Sequence, residues 1–317
     1  MKKRIIIDTD MGADDYIAVQ MAMLTKKIKV EGISLVHGNT DMKNVEKNVF
    51  KTLDMINKLG LVKVYKGESL PIKDFKVNTK DNAHGSNGFS DVNYDTVNGK
   101  IEEKNAVDWM IELVNNNPRK ITIVAIGPLT NIAKAILSDE NFSKNVKEII
   151  IMGGAENYGN ITQYAEFNFY NDPQAAKIVF ESKIKNIVMI GFNITKYVTL
   201  SPKLEELLKH SSCQNAKFIY DITRDVARLD KSQTKVDGAI INDAINICYL
   251  LNKHVLDLEK VNVQITTDNI EHLGESVVSD IKYKNCKIAR NVNSIKCKKM
   301  IFCTLLPELK KDIKKSI

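Results

Sequence analysis

Residues 4–20 read RIIIDTDMGADDYIAVQ, and four aspartates, Asp8, Asp10, Asp14 and Asp15, fall within eight positions of that stretch. The run Ile5, Ile6, Ile7 is a short β-branched segment of the kind buried on both faces of a parallel sheet. From Asp14 onward the apolar residues return at helical spacing. Strand, glycine, helix is the opening of a parallel α/β unit, and it leaves the charge to be explained. In an extended strand, residues two apart point the same way, so Asp8 and Asp10 share a face. Gly12 permits a tight turn, which puts Asp14 and Asp15 in the first turn of the helix. A helix N-terminus favours one acid or two, not four. Carboxylates converging from a strand end and a helix start suit a hard cation, and Ca²⁺ takes about 6–8 oxygen ligands in such sites. The bland alternative is a solvated capping turn.

The same alternation continues. The apolar runs at 30–36, 121–126, 146–152 and 184–190 are separated by amphipathic patterns at 45–59, 129–137 and 173–182. This predicts an open, mostly parallel central sheet with helices on both faces, a Rossmann-like α/β fold in which ligands bind beyond the carboxyl ends of the strands. The unusual residues collect at those ends: HGN at 37–39, GPLTN at 127–131 and GGAENYGN at 153–160. The segment from about 200 to 254 reads as helical. Strands are expected at 261–268, 276–283 and 287–292, with a final helix over 304–315. No repeat, linker or composition break divides the chain, so residues 1–317 read as one domain.

Composition excludes several classes. The 317 residues carry 44% hydrophobic and 27% charged side chains, ordinary for a globular chain, and the net charge of +7 is spread over scattered lysines. Only the tail, residues 309–317, concentrates charge, and it reads as a solvated helix end. No nucleic-acid-binding motif is present, and no window approaches a membrane span. Five cysteines without CxxC spacing indicate reduced thiols in a cytosolic setting, and the amino terminus has too short an apolar run for a signal peptide.

The aspartate stretch also resembles the amino-terminal signature of the inosine-uridine preferring nucleoside hydrolases, Asp-Thr-Asp-x-Gly-x-Asp-Asp-x-x-Ala. HGN at 37–39, HGSNG at 84–88, GPLTNIA at 127–133, IIMGGA at 150–155, GNITQYAEFNFYNDPQAA at 159–176, and NDAI at 242–245 follow in the family's order. The resemblance implies the fold read above and hydrolysis of the N-glycosidic bond of a ribonucleoside to ribose and free base, as in purine and pyrimidine salvage. It implies a Ca²⁺ cofactor that holds the ribose diol, with Asp10, Asp15, Asp243 and the backbone carbonyl of Ile126 as ligands. Asp8 is then a supporting acid. Asp10 is the implied general base toward a water on that ion. Asp14, Asn39, Asn160, Glu166 and Asn168 match positions that hold or surround the ribose hydroxyls, and Met152 matches one lining the pocket. The implied partner is a small ribonucleoside, with no nucleic acid and no membrane, and the implied assembly is a homodimer or homotetramer in the cytoplasm.

One position departs from the pattern. Better-known members carry a histidine before the carboxy-terminal calcium aspartate, where it assists the departing base; here the residue is Asn242. An amide donates a hydrogen bond but no proton near neutral pH. His84, or Tyr220, Arg224 and Arg228 on one helix face, are the candidate replacements. Two other readings stand beside the hydrolase. One is a non-catalytic nucleoside or ribose-binding protein. The other is a haloacid-dehalogenase-type Mg²⁺ phosphatase, which Gly12 and the adjacent acids Asp14 and Asp15 disfavour. Base preference would rest on loops around 75–90 and 220–232. Trp109, in the amphipathic run 106–114, reads as core.

Overall fold

The computed structural model describes residues 2–73 and 84–317. Strand and helix alternate from the start: β1 (Lys3–Thr9), α1 (Ala13–Leu24), β2 (Ile28–Leu35) and α2 (Met42–Met55). Two short strands, β3 (Val64–Lys66) and β4 (Ile101–Glu102), precede α3 (Ala106–Asn115). Then come β5 (Ile121–Ala125), α4 (Thr130–Ser138), α5 (Phe142–Asn145), β6 (Glu148–Met152), α6 (Phe167–Asn171) and α7 (Pro173–Glu181). β7 (Ile187–Ile190) and α8 (Phe192–Thr195) lead to a small unit of β8 (Thr199–Leu200), α9 (Pro202–Lys209), α10 (Gln214–Thr234), β9 (Ala239–Ile240) and α11 (Ala244–Leu251). The chain closes with β10 (Leu256–Ile265), β11 (Ser276–Ser279), β12 (Cys286–Val292), α12 (Ser294–Leu305) and α13 (Lys310–Ser316).

Ten strands form one sheet in the order β11-β10-β12-β7-β6-β5-β1-β2-β3-β4. Only β10 runs antiparallel, against β11 and β12; the other pairings are parallel, as the continuous apolar strands require. Alternation along β1 sorts the core into two faces. Ile5 and Ile7 pack with Tyr16, Ile247 and Phe302, while Ile6 packs with Trp109, Ile123 and Phe180. β1 lies between β2 and β5, and the chain winds outward from it in both directions. This is the topological switch point, where the loops leaving β1 and β5 part and open a crevice.

Several expectations are refined. Residues 239–240 form a strand paired antiparallel with Thr199 and Leu200, not a continuation of helix. The tail is two helices: α12 was not read from the sequence, and Pro307, which lacks an amide hydrogen, separates it from α13. Among the described residues no helix is long and apolar enough to cross a membrane, and all five cysteines are free thiols. Gly12 is extended (φ −80°, ψ −171°) and does not make the turn; the left-handed residue is Met11 (φ 47°). Glycine is needed at position 12 for space. A Cβ there would stand 2.4 Å from Asn39 Nδ2 and 2.8 Å from His84 Nδ1.

Trp109 is core, as read. Its ring stacks on Tyr65 at 4.0 Å between centroids, and a Cβ on Gly32 would meet it at 2.6 Å. Trp109→Ala is expected to lower unfolding free energy by about 3–5 kcal/mol in urea titrations, with kcat/KM of the folded fraction unchanged. A large loss of kcat/KM at wild-type stability would refute this assignment.

Candidate active site

The crevice is lined with acids from three remote segments. Asp8, near the end of β1, is fully buried; its Oδ1 accepts hydrogen bonds from Ser34 Oγ on β2 and from Asn131 Nδ2 (2.8 Å) on α4. It therefore ties the switch-point strands to the helix beyond β5. Asp10 Oδ2 accepts from the Asn39 amide at 2.8 Å. The loop after β2 comes that close because residue 38 is glycine: a Cβ there would lie 1.9 Å from the same oxygen. Asp15, in the first turn of α1, accepts from Thr9 Oγ1, from Gly12 N (2.8 Å) and from Asn39 Nδ2 (3.1 Å). Asp14 beside it accepts from Asn242 Nδ2 at 3.0 Å. Asp243 stands at the N-terminus of α11. Carboxylate oxygens of Asp14, Asp15 and Asp243 lie within 4.8 Å of one another, and all three residues are buried.

So many carboxyls cannot stay ionised together without a counter-charge. Burial pushes Asp8 up to about 6 and Asp15 up to about 7, the latter helped by Asp14. Asp10 and Asp243 rise well above the ordinary range, through burial first and neighbouring carboxylates second. Among the described residues, Asp8 Oδ2 and Asp10 Oδ1 are buried without a hydrogen-bond partner. An all-oxygen donor set, mutually repelling and incompletely satisfied, fits a hard divalent cation better than it fits the bare protein. Asp10, expected as a ligand, borders the tight three-acid group, and Asp14, expected at the sugar, belongs to it.

The opposite wall comes from the loops after β5 and β6. Glu166 caps α6: its carboxylate accepts from the amides of Gly154 (2.8 Å), Asn168 (2.9 Å) and Phe169 (3.3 Å). Burial nevertheless lifts it to about 7. Asn168 Nδ2 donates to the carbonyls of Ile126 (3.3 Å) and Met152 (3.1 Å), joining the ends of β5 and β6. Asn160, half-exposed, accepts at Oδ1 from the Phe167 amide (2.9 Å). Asn39, Asn168, Met152 and Glu166 are buried around the crevice.

The candidates for assisting a leaving group are differently placed. Asn242 is pinned on both sides, with Oδ1 accepting from Thr195 Oγ1 (2.7 Å) and Nδ2 donating to Asp14. His84 accepts at Nδ1 from the Ala13 amide (3.0 Å), so its proton sits on Nε2, 3.9 Å from Asp14. Burial lowers its pKa and Asp14 opposes that shift. Tyr220, Arg224 and Arg228 line a separate hollow with Pro202, Glu205 and Asp237, and both arginines pair with Asp225. Of the loops tied to base preference, residues 220–232 are helix, whereas most of 75–90 lies outside the described residues. Thr9, Asn131 and Thr195 were missed as site residues. Asn131 stands inside the GPLTN block and could have been read there, but nothing local marks Thr195.

Comparison with known proteins places the chain in a family. The family profile described as inosine-uridine preferring nucleoside hydrolase matches residues 5–299. Uridine nucleosidase 1 of Arabidopsis thaliana is 33% identical over 84% of this chain and 80% of its own. The pyrimidine-specific ribonucleoside hydrolase RihB of Escherichia coli O157:H7 is 30% identical over 92% of this chain and 94% of its own. Among solved structures, a purine-preferring ribonucleoside hydrolase from Gardnerella vaginalis superposes with a TM-score of 0.89 at 26% identity, covering 98% of this chain and all of the other. The plant nucleoside hydrolase PpNRh1 gives 0.87 at 27%, covering 96% and 99%. None of these matches favours the phosphatase or the non-catalytic binder.

A carboxyl whose native pKa lies above its unfolded value holds its proton more tightly when folded. Its contribution is complete below the unfolded pKa and is lost as pH rises through the native one. For Asp8 and Asp15 that window runs from about pH 4 to about pH 7. A cation bound to the ionised set reverses the sign. The difference in Tm between calcium and chelator should therefore widen steadily across this window; a difference constant with pH would show that the cluster holds no cation.

Proposed function

Since the chain belongs to the inosine-uridine preferring nucleoside hydrolase family, we propose that it hydrolyses the N-glycosidic bond of ribonucleosides, with Ca²⁺ as cofactor. It is an N-glycosyl hydrolase, and the observation that carries the finer reading is the buried acid cluster at the end of β1 and the starts of α1 and α11, with two carboxylate oxygens lacking partners. Asp10, Asp15, Asp243 and the Ile126 carbonyl would hold the ion, with Asp14 beside them inside the tight acid group. Bound there, calcium supplies a fixed charge that holds vicinal hydroxyls and makes a water more acidic.

The remaining steps belong to the chain. Asp10 keeps one oxygen on the Asn39 amide and has the other for the proton of the attacking water. As the C1′–N bond lengthens, positive charge grows on the sugar, and the surrounding carboxylates stabilise it in place. Asn39 beside the acids, and Asn160, Glu166 and Asn168 from the facing wall, orient the ribose hydroxyls. His84, with its proton on Nε2, donates a hydrogen bond, and Asn242 positions Asp14. Assembly as a homodimer or homotetramer in the cytoplasm completes the proposal, as does one domain over residues 1–317.

The test compares p-nitrophenyl riboside with uridine, cytidine, inosine and guanosine, with calcium and with chelator. Nitrophenolate leaves without a proton, so the riboside reports on sugar and cation alone. Cleavage of both kinds, abolished by chelator, is expected. Tight ribonucleoside binding with no turnover of either kind would make the protein a binder. Asp10→Asn should lower kcat on either substrate by about 10²–10⁴-fold. 2′-Deoxyuridine should be poorer than uridine by about 10⁴–10⁵ in kcat/KM, because buried groups built for the 2′-hydroxyl are left unpaired.

A further inference from the structure

A cavity of about 610 Å³, open to solvent, lies between the loop before α6, the end of α8 and the end of α10. Its walls are aromatic and polar in turn: Tyr158, Asn160, Thr162, Phe192, Lys196 and Tyr197. Two links join it to the crevice. Asn160 lies in its wall and is tied to Phe167, next to Glu166. Lys196 follows Thr195, whose hydroxyl holds Asn242 against Asp14.

Within the cavity Lys196 Nζ donates a hydrogen bond to the Tyr158 hydroxyl. It also sits 4.6 Å from the Tyr158 ring centroid and 5.1 Å from that of Tyr197. Lys196 makes no ion pair among the described residues. Because the ammonium occupies a lone pair of the phenol oxygen, the phenol proton points elsewhere, and the cation stabilises the phenolate left when that proton goes.

We propose that this cavity receives the base and that Tyr158, positioned and polarised by Lys196, protonates it as it departs. The inference rests on the hydrolase reading above and names a proton source that Asn242 cannot be. The chemistry balances. Water forms the C1′–O bond and gives one proton to Asp10, while the C1′–N bond breaks with its electron pair on the base. The base takes the Tyr158 proton at a ring nitrogen or carbonyl oxygen, and the phenolate regains one from solvent. Aromatic walls suit a planar heterocycle, and a protonated leaving group is worth about 10²–10⁴ in rate.

The experiment measures kcat on uridine and inosine against kcat on p-nitrophenyl riboside for wild type, Tyr158→Phe, Lys196→Met and Lys196→Arg, with thermal melting to confirm folding. Tyr158→Phe should lose about 100-fold or more on the nucleosides and keep the riboside rate within a few-fold. Lys196→Met should show the same split, and Lys196→Arg should recover much of it. Equal losses on both substrates would make the pair structural or sugar-binding and overturn the proposal. Wild-type nucleoside rates in the variants would overturn it as well, while riboside turnover in the same samples leaves the hydrolase reading standing. A wild-type protein that cleaves neither substrate removes both.

Discussion

Everything near the switch point is arranged around one electrostatic problem: carboxylates that repel one another are held together out of water. Bringing Asp10, Asp15 and Asp243 into a space where burial alone raises each pKa costs free energy that no local motif returns. The fold keeps them there by fixing each acid with groups that cannot relax away. Asp8 is clamped by Ser34 and Asn131, Asp15 by Thr9, Gly12 and Asn39, and Asp10 by the backbone of Asn39. These donors come from the ends of β1 and β2, the loops that follow them and the start of α4. The result is a pre-formed negative site that a cation completes, rather than one the cation must assemble.

This constraint explains the glycines better than turn geometry does. Gly12 and Gly38 both stand where a Cβ would collide with a polar side chain of the site, Asn39 in one case and Asp10 in the other. They let the β1 and β2 loops approach to hydrogen-bond distance across the crevice. The close packing that results is what excludes water from the acids, and exclusion is what gives their charges strength toward a cation or a developing positive charge.

The fold and half the site could be read before any coordinates because both are written in local patterns. A buried parallel strand is a continuous apolar run, so 5–7, 30–36, 121–126 and 146–152 announced the sheet, and the acids at 8–15 announced the buried acid cluster. What stayed hidden depends on contacts between distant segments. The pairing of residues 199–200 with 239–240 is too short to leave a periodic trace. The helix at 294–305 is lysine-rich and has little apolar contrast. That Asp14 would join the tight acid group, and that Thr195 would pin Asn242, follow from α11 settling against α1 and the end of α8 meeting the residues just before α11, which spacing along the chain does not encode.

The amide at position 242 fits this electrostatic frame. An imidazolium there would place a positive charge against Asp14 and weaken the cluster's hold on a cation. Asn242 leaves the cluster's charge intact, and its orientation is fixed by Thr195 on one side and Asp14 on the other. A residue so held is suited to keeping a carboxylate in place, not to moving protons. Separating the two duties puts proton delivery at a distance from the acids, where the field of the carboxylates is weaker and a lysine can do its work on a neighbouring hydroxyl. The division also has a physical merit. Ionised carboxylates raise the pKa of a proton donor set among them and make it a weaker acid, whereas one beyond the cluster gives its proton to the base more readily.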